Sequence, residues 1–216
     1  MHILAWLKHK WYIAKQVKGH VLSEKHFSET EGYRKLSAYI RSKVPPGKVL
    51  DVGCNTGFES LLLEHEGKKV VGIDIGEEYV AVARSRGIEA YQMDFHKLDF
   101  EPFSFDAIYW NNGIEHARFP IKALLETFLV LKEGGKLIGC LPSDYRNPDY
   151  KGGEGWNSSL HYWSPTPQEL RQYLSFAGFI NVKIEEVDAL KKFNLQNLAS
   201  KNHYIIFEGA KAFSEV

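Results

Sequence analysis

From Lys48 onward, short apolar segments alternate with segments whose apolar residues recur at helical spacing. This alternation is typical of β–α units that place parallel strands side by side in one sheet. The last two strands are predicted to pair antiparallel at the sheet edge. The predicted strands are Val49–Cys54, Lys69–Ile75, Ile88–Met93, Asp106–Asn111, Lys136–Leu141, Ile180–Val187 and Tyr204–Gly209. The pattern restricts the chain to a layered α/β fold.

Charge divides the chain into two unlike parts, although its 216 residues carry 27 basic and 27 acidic side chains. Residues 1–50 hold ten basic and three acidic residues, a net +7, whereas the remainder holds 17 and 24, a net −7. The balanced total argues against a protein held on nucleic acid by charge. We predict a helical extension or lid over residues 1–46 and one domain over residues 47–216, because the extension is too short to bury its own core.

Several local signals predict where helices and buried strands lie. Ser28–Glu31 has the spacing of a capping box that begins a helix, and residues 2–18 also show helical spacing. Ile88–Met93 and Asp106–Asn111 are each continuous and β-branched or aromatic enough to be predicted as strands buried on both faces. A helix from Pro120 to Lys132 is predicted to end at Gly134-Gly135.

The cysteine content and hydropathy indicate the compartment. Cys54 and Cys140 lie far apart in apolar segments, so they suggest neither a disulfide framework nor a cysteine-based zinc site. A reducing, cytoplasmic location is the default expectation. No segment approaches the roughly 20 apolar residues of a membrane span, and no histidine pair has the spacing of metal ligands on one helix. The sequence therefore predicts no transmembrane helix and no metal.

The most informative segment is Val49–Phe58, where a buried strand leads into a tight glycine turn and then a helix. Gly53 and Gly57 allow the backbone to approach a ligand closely, and amides at a helix start can bind a negative group. Asp74 ends the second strand, 23 residues after Asp51. A carboxylate at this position can accept hydrogen bonds from two ribose hydroxyls. A nucleoside cofactor at the carboxyl ends of the strands is therefore predicted.

The glycine pattern decides which nucleoside cofactor fits. A dinucleotide fingerprint requires Gly-x-Gly-x-x-Gly, but Asn55 and Phe58 occupy the later glycine positions. The segment instead resembles the first motif of class I S-adenosylmethionine (SAM) dependent methyltransferases, Asp/Glu-x-Gly-x-Gly-x-Gly, through Asp51, Gly53 and Gly57. Asn55 replaces the middle glycine, and asparagine tolerates the left-handed conformation better than most residues.

The resemblance continues in ordered segments over residues 47–209. The segments similar to later motifs of the family are Val71–Ile75, Gln92–Phe95, Phe105–His116 with its Glu-His pair, Leu131–Leu137 and Ala177–Phe179. The resemblance implies a Rossmann-like, doubly wound α/β fold: seven strands, the last antiparallel, with helices on both faces. It also implies SAM as the cofactor.

The residues that would hold SAM lie where the resemblance meets the ends of the strands. Asp74 would bind the ribose, Ile75 would flank the adenine, Asp94 would bind its amino group and the Phe95 backbone would contact the ring. The full predicted set is Asp51, Gly53, Cys54, Asn55, Gly57, Asp74, Ile75, Asp94, Phe95, Trp110 and Asn111.

Two histidines are the candidate catalytic residues. His116 follows the fourth strand, and His161 lies in a His-aromatic segment that resembles one found in many relatives. If the methyl acceptor is a hydroxyl, one general base would help. The structural alternatives are that His116 caps a helix or pairs with Glu115, and that His161 only supports the segment.

The connection Ser143–Ser164 is long and rich in aromatic residues, as functional loops often are. Tyr145, Arg146 and Trp163 are the predicted substrate-binding residues. Aromatic rings could pack on a planar acceptor or attract the sulfonium, and Arg146 could meet an acidic group. Alternatively, the rings only hold the loop against the body of the domain.

The leading hypothesis is a SAM-dependent methyltransferase that acts on an oxygen, hydroxyl or carboxyl, of a small molecule. A second hypothesis is a methyltransferase of RNA, protein or a membrane-associated acceptor, docked by the basic N-terminal segment. A third is a SAM-binding protein without catalysis, for which Asn55 would be the first sign of decay. A monomer and a homodimer are both compatible with the sequence.

Overall fold

The computed structural model describes residues 31–143, 161–194 and 203–213. The strands are β1 Lys48–Val52, β2 Lys69–Asp74, β3 Glu89–Gln92, β4 Phe105–Asn111, β5 Leu131–Pro142, β6 Ile180–Asp188 and β7 His203–Ala210. The helices are α1 Glu31–Arg41, α2 Phe58–His65, α3 Glu77–Ser85, α4 Pro120–Val130, α5 Pro167–Phe176 and α6 Ala189–Phe193, and a 3-10 turn covers Ile114–His116.

The strands form one sheet in the order β3-β2-β1-β4-β5-β7-β6. Strand β7 pairs antiparallel with β5 and with β6, whereas the pairs from β3 to β5 are parallel. This confirms the predicted Rossmann-like sheet with an antiparallel last strand. The chain moves outward from β1 to β3 and then returns to place β4 on the other side of β1. The carboxyl ends of β1 and β4 therefore form the crevice in which such sheets bind ligands.

Strand alternation divides the core between the two faces of the sheet. In β4, Ile108 and Trp110 belong to one buried cluster, and Ala107 and Tyr109 belong to the other. All four side chains are fully buried. Burial of this kind stabilises the fold by about 25 cal/mol for each Å² of apolar surface. Tyr109 and Trp110 consequently point to opposite faces.

Helix α1, the described part of the predicted extension, packs on the domain. Leu36 and Ile40, one helical turn apart, are both buried. The guanidinium of Arg41 lies 2.9 Å from Glu59 Oε2 and 2.8 Å from Glu66 Oε1, and the Arg41 side chain is only 8% exposed. These ion pairs join α1 to α2 and to the residue that follows it.

Strand β3 is an edge strand, so the prediction that Ile88–Met93 is buried on both faces is wrong for most of the segment. Within β3 only Ala90 is buried, and Tyr91 exposes 41% of its surface. The strand order explains this exposure. Among the described strands, β3 is the outermost on its side of the sheet and pairs with β2 alone, so the helices cover it less than the central strands.

The helix predicted to reach Lys132 ends at Val130, and the chain enters β5 at once. Gly134 and Gly135 do not stop a helix. The Gly134 amide donates to the Lys211 carbonyl at 2.9 Å, and the Lys211 amide donates to the Gly135 carbonyl at 3.0 Å. These bonds continue the β5–β7 ladder, which explains why the glycines belong to the sheet.

The helix signals at Ser28 and over residues 2–18 lie outside the described residues. Among the residues that the structure describes, no helix combines the length and apolar character needed to cross a membrane.

Candidate cofactor crevice and active site

The backbone of the turn after β1 is not covered at Gly53 by other atoms of the described residues. Gly53 and Asn55 have φ angles of 74° and 50°, both in the left-handed region. Asn55 is suited to it, because its Oδ1 accepts a 2.8 Å hydrogen bond from the Thr56 amide. The amides of Gly53 and Cys54 both donate to the Ile73 carbonyl at 2.8 Å. A Cβ at Gly53 would meet nothing within 4 Å, so a ligand can approach the turn closely.

Asp74 ends β2 and is bonded to that turn. Its Oδ2 accepts the Asn55 amide at 3.0 Å, and its Oδ1 accepts the Gly76 amide at 2.9 Å. A carboxylate has about four acceptor positions, so Asp74 can still accept hydrogen bonds from hydroxyls. The neighbouring Ile75 exposes 69% of its surface. Together they offer a polar acceptor for a sugar and an apolar surface for a base.

Asp94 follows β3 and is oriented by His96. The His96 amide donates to Asp94 Oδ1 at 2.8 Å, and Nδ1 of the His96 ring contacts the same oxygen at 2.8 Å. Burial raises the pKa of Asp94, but the hydrogen bonds from His96 outweigh it and hold the pKa below its usual value. His96 is absent from the residues predicted from sequence. Its position two residues after an aspartate, the spacing of a local Asx turn, was the available signal.

Asp51 is a buried carboxyl at the start of the motif. Burial raises its pKa to about 7. A 2.6 Å hydrogen bond from the Ser60 hydroxyl opposes this shift, and the nearby carboxylates of Glu59 and Asp74 add to it. A positive charge in the crevice would favour its ionised form. The neighbouring Cys54 is also buried, and burial raises the pKa of its thiol, which fits a packing residue rather than a nucleophile.

The end of β4 carries two buried polar atoms, Trp110 Nε1 and Asn111 Oδ1, that have no hydrogen-bond partner within the described ranges. Buried polar atoms normally have partners, so these two suit a polar ligand. The Trp110 ring lies 5.3 Å from the Phe95 ring. A Cβ at Gly113 would lie 2.7 Å from Trp110 Nε1 and 3.5 Å from the Val52 carbonyl oxygen. The turn after β4 therefore crosses the carboxyl end of β1.

That turn places the adjacent residues Glu115 and His116 next to His161, which lies in a separate segment. One potential ligand atom from each of Glu115, His116 and His161 lies within 4.8 Å of the other two. The His116 and His161 ring centroids are 5.0 Å apart. The Glu115 carbonyl accepts the amides of Tyr162 at 2.9 Å and Trp163 at 3.1 Å, which holds the second segment against the turn. The two histidines predicted to be catalytic are thus neighbours.

Glu115, like His96, is absent from the site residues predicted from sequence. It is 2% exposed, His161 is 6% exposed and His116 is partly exposed. The Glu-His pair after β4 was the signal for it. A search for metal ligands on one helix could not find this group, because its members come from two separate segments.

Of the three predicted substrate-binding residues, Trp163 is among those that the structure describes. The Trp163 ring packs against the Tyr173 ring of α5, with centroids 4.9 Å apart. This contact fixes the segment that carries His161 to the helix that follows. Tyr145 and Arg146 lie outside the described residues.

Comparisons with known proteins agree with this geometry. Residues 50–139 match the family model described as a methyltransferase domain. An uncharacterized protein of Methanocaldococcus jannaschii is 27% identical over 177 residues, which cover 81% of this chain and 78% of that protein. A ubiquinone biosynthesis O-methyltransferase of Xylella fastidiosa is 36% identical over 109 residues, 46% of this chain. The chain spans 44% of that enzyme's length.

A solved structure shows the same fold. It is a SAM-dependent methyltransferase of Thermotoga maritima, described as a possible histamine N-methyltransferase. The TM-score is 0.71 at 20% identity, with 93% of this chain and 99% of that chain covered. The chain therefore has the fold of the class I SAM-dependent methyltransferases, and its residues 50–139 match the methyltransferase domain. SAM is the cofactor of this family, and the crevice fits it through the open backbone at Gly53, the Asp74 carboxylate and the buried polar atoms of Trp110 and Asn111.

Proposed function

We propose that this protein transfers a methyl group from SAM to an oxygen, hydroxyl or carboxyl, of a small-molecule acceptor. The observation that carries the proposal is the meeting of His116 and His161 at the carboxyl end of β4, beside the cofactor crevice. The similarity to an enzyme named as an O-methyltransferase of ubiquinone biosynthesis supports an oxygen acceptor.

The strand ends would hold and orient the cofactor. When bound, SAM supplies a methyl group on a positively charged sulfur, and an acceptor oxygen takes that methyl as the carbon–sulfur bond breaks. Asp74 would bind the ribose hydroxyls, Asp94 the adenine amino group and Ile75 the adenine ring. Gly53 would allow the close approach of the backbone. Displacement at carbon needs an in-line geometry and a water-poor site, so this positioning is the main catalytic contribution.

The cluster after β4 would receive the acceptor. An acceptor hydroxyl becomes a better nucleophile when it loses its proton, and Glu115, His116 and His161 group three polar side chains after β4. We assign His116 and His161 to binding the acceptor oxygen and assisting the departure of its proton to water. The Trp163 ring, packed on Tyr173, would form an apolar wall next to them.

Two experiments test the proposal one after the other: calorimetry measures cofactor binding, and an assay then measures methyl transfer. SAM and S-adenosylhomocysteine should bind the full chain with measurable heat. Radiolabelled SAM should then label at least one member of a panel of phenols, catechols, quinols and carboxylic acids, and mass spectrometry should place the methyl group on oxygen. His116→Ala and His161→Ala should lower turnover about 100-fold or more while S-adenosylhomocysteine affinity stays unchanged.

His65→Ala provides the matched control, since His65 is exposed at the end of α2, away from the crevice. It should leave turnover unchanged. Methylation of amines alone, or of RNA or protein in place of every small molecule, would contradict the proposal.

A further inference from the structure

We propose that Glu115, His116 and His161 form a binding site for a divalent transition-metal ion, and that Zn²⁺ suits its donors. The ligand atoms of the three side chains already lie within 4.8 Å of one another. Two imidazole nitrogens and one carboxylate oxygen are a common three-ligand set for zinc, which keeps its fourth position open for water or substrate. Ligands about 2.1 Å from a tetrahedral ion lie roughly 3.4 Å apart. The largest of these separations would therefore need to shrink by at most about 1.4 Å.

The backbone holds these donors in place before any ion binds. Glu115 and His116 lie in a 3-10 turn in which the His116 amide donates to the Gly113 carbonyl at 3.1 Å. His161 precedes two residues whose amides, Tyr162 and Trp163, both donate to the Glu115 carbonyl. Metal sites depend on such preorganised ligands, because a loose supporting structure places them too far apart.

Burial strengthens the attraction that the site would exert on a cation. Glu115 is 2% exposed and His161 is 6% exposed. A carboxylate attracts a cation more strongly in such surroundings than in water, because the effective dielectric constant is lower. A divalent ion would bind the carboxylate oxygen and use the imidazole nitrogens as its other ligands. His116 is partly exposed, so solvent reaches this member of the group.

The position of the site relative to the crevice suggests what the ion would do. Gly113, two residues before Glu115, lies against Trp110 and the Val52 carbonyl, so the group adjoins the turn that begins at Gly53. The role of the ion in methyl transfer rests on the proposed function. The ion would bind the acceptor oxygen in its open position and lower the pKa of the hydroxyl. The proton would pass to water, and the oxygen would form its bond to the methyl carbon while the bonding pair of the carbon–sulfur bond stays with sulfur.

Cobalt provides a direct test, because Co²⁺ in a nitrogen and oxygen site of low coordination number absorbs visible light. The full chain is stripped of metal with a chelator, titrated with Co²⁺ and then with Zn²⁺, which should displace the cobalt spectrum. His116→Gln and His161→Gln should each weaken Co²⁺ binding at least about tenfold, since even disturbing a partner of a metal ligand costs that much. His65→Gln, at an exposed histidine, should bind Co²⁺ as the unaltered protein does.

Binding of S-adenosylhomocysteine shows whether each variant is folded. If the buried substitution His161→Gln abolishes it, His116→Gln at the partly exposed position decides the result. The proposal is overturned if the unaltered protein gives no cobalt spectrum, or if His116→Gln binds Co²⁺ equally well.

The outcome for the metal can be separated from the outcome for methyl transfer. Full turnover by chelator-treated protein would overturn the role of the ion and leave the methyltransferase proposal standing. Cobalt binding without methylation of any acceptor would support the metal site and count against the proposed function.

Discussion

The backbone amide of Asn55 donates a 3.0 Å hydrogen bond to the carboxylate of Asp74, which joins the turn after β1 to the end of β2. The Gly76 amide holds the other oxygen of the same carboxylate at 2.9 Å. The two parts of the predicted ribose site are therefore fixed to each other without a ligand. A site arranged in advance loses less conformational freedom when it binds, so this contact favours tight cofactor binding.

Asp74→Ala should weaken SAM binding roughly 100-fold, because two hydrogen bonds from ribose hydroxyls to a charged acceptor contribute about 1.5 kcal/mol or more each. The substitution also releases the Asn55 and Gly76 amides. Isothermal titration calorimetry with SAM measures the change. Asp99→Ala, which removes an exposed carboxylate outside the crevice, should leave the affinity unaltered. Equal affinities of the two variants would show that Asp74 does not hold the ribose.

Asn55 occupies a left-handed position, which allows the turn to be tested apart from the cofactor. Asn55→Ala should lower the free energy of unfolding by about 1–2 kcal/mol, because alanine is strained at a φ of 50°. It also loses the hydrogen bond to the Thr56 amide. Asn55→Gly restores the glycine of the family motif and should be close to neutral. Urea denaturation measures both variants.

The glycine variant also tests whether Asn55 marks a protein that has lost its cofactor. Asn55→Gly and the unaltered chain should bind SAM with similar affinity. The left-handed geometry of Asn55 argues against the hypothesis that this turn has decayed. Binding of SAM by the glycine variant alone would instead support that hypothesis.

The proposed cofactor residues could be grouped from sequence because a parallel sheet aligns the ends of its strands. Asp51, Asp74 and Asn111 are each near the carboxyl end of a strand, so identifying the strands was enough to group them. The turn chemistry was also readable, since asparagine and glycine are the residues that favour a positive φ.

The rest depends on contacts that no local pattern contains. Glu115 and His161 meet because two loop segments share backbone hydrogen bonds, and the spacing of neither segment reveals this. The exposure of β3 follows from the strand order, which the β-branched and aromatic residues of the predicted segment do not reveal. Gly134-Gly135 looked like a helix stop because its partner, the chain around Lys211, lies far away in sequence.

Arg41→Met should destabilise the fold by about 3 kcal/mol, because removing one member of a buried ion pair leaves its partner uncompensated. Arg41 is 8% exposed and Glu59 is 13% exposed, and Tyr109 also donates to Glu59 at 3.0 Å. Thermal and urea unfolding measure the loss. Lys35→Met removes the exposed pair between Lys35 and Glu31 and should have no measurable effect. Equal stability of both variants would show that α1 is held by apolar packing alone.

Asp51 gives the fold a specific dependence on pH. Its pKa is about 7 in the folded protein, against about 3.9 for an exposed aspartate in an unfolded chain. Between these values the folded state keeps a proton that the unfolded state has released, so its contribution to the free energy of unfolding falls as pH rises and becomes constant above about 7. Asp51→Asn cannot ionise, so subtracting its unfolding free energies from those of the unaltered chain isolates this contribution.

The difference should decline from about pH 4 to pH 7 and then level off. Other carboxyl groups titrate in both proteins and cancel in the subtraction. Urea unfolding at several pH values, followed by circular dichroism, gives the two curves. Binding of a positively charged cofactor should favour the ionised carboxylate and lower the folded pKa, so with SAM the decline should still begin near about pH 4 but level off at a lower pH. Parallel curves for the two proteins, with or without SAM, would show that Asp51 titrates at an ordinary pKa in the folded chain.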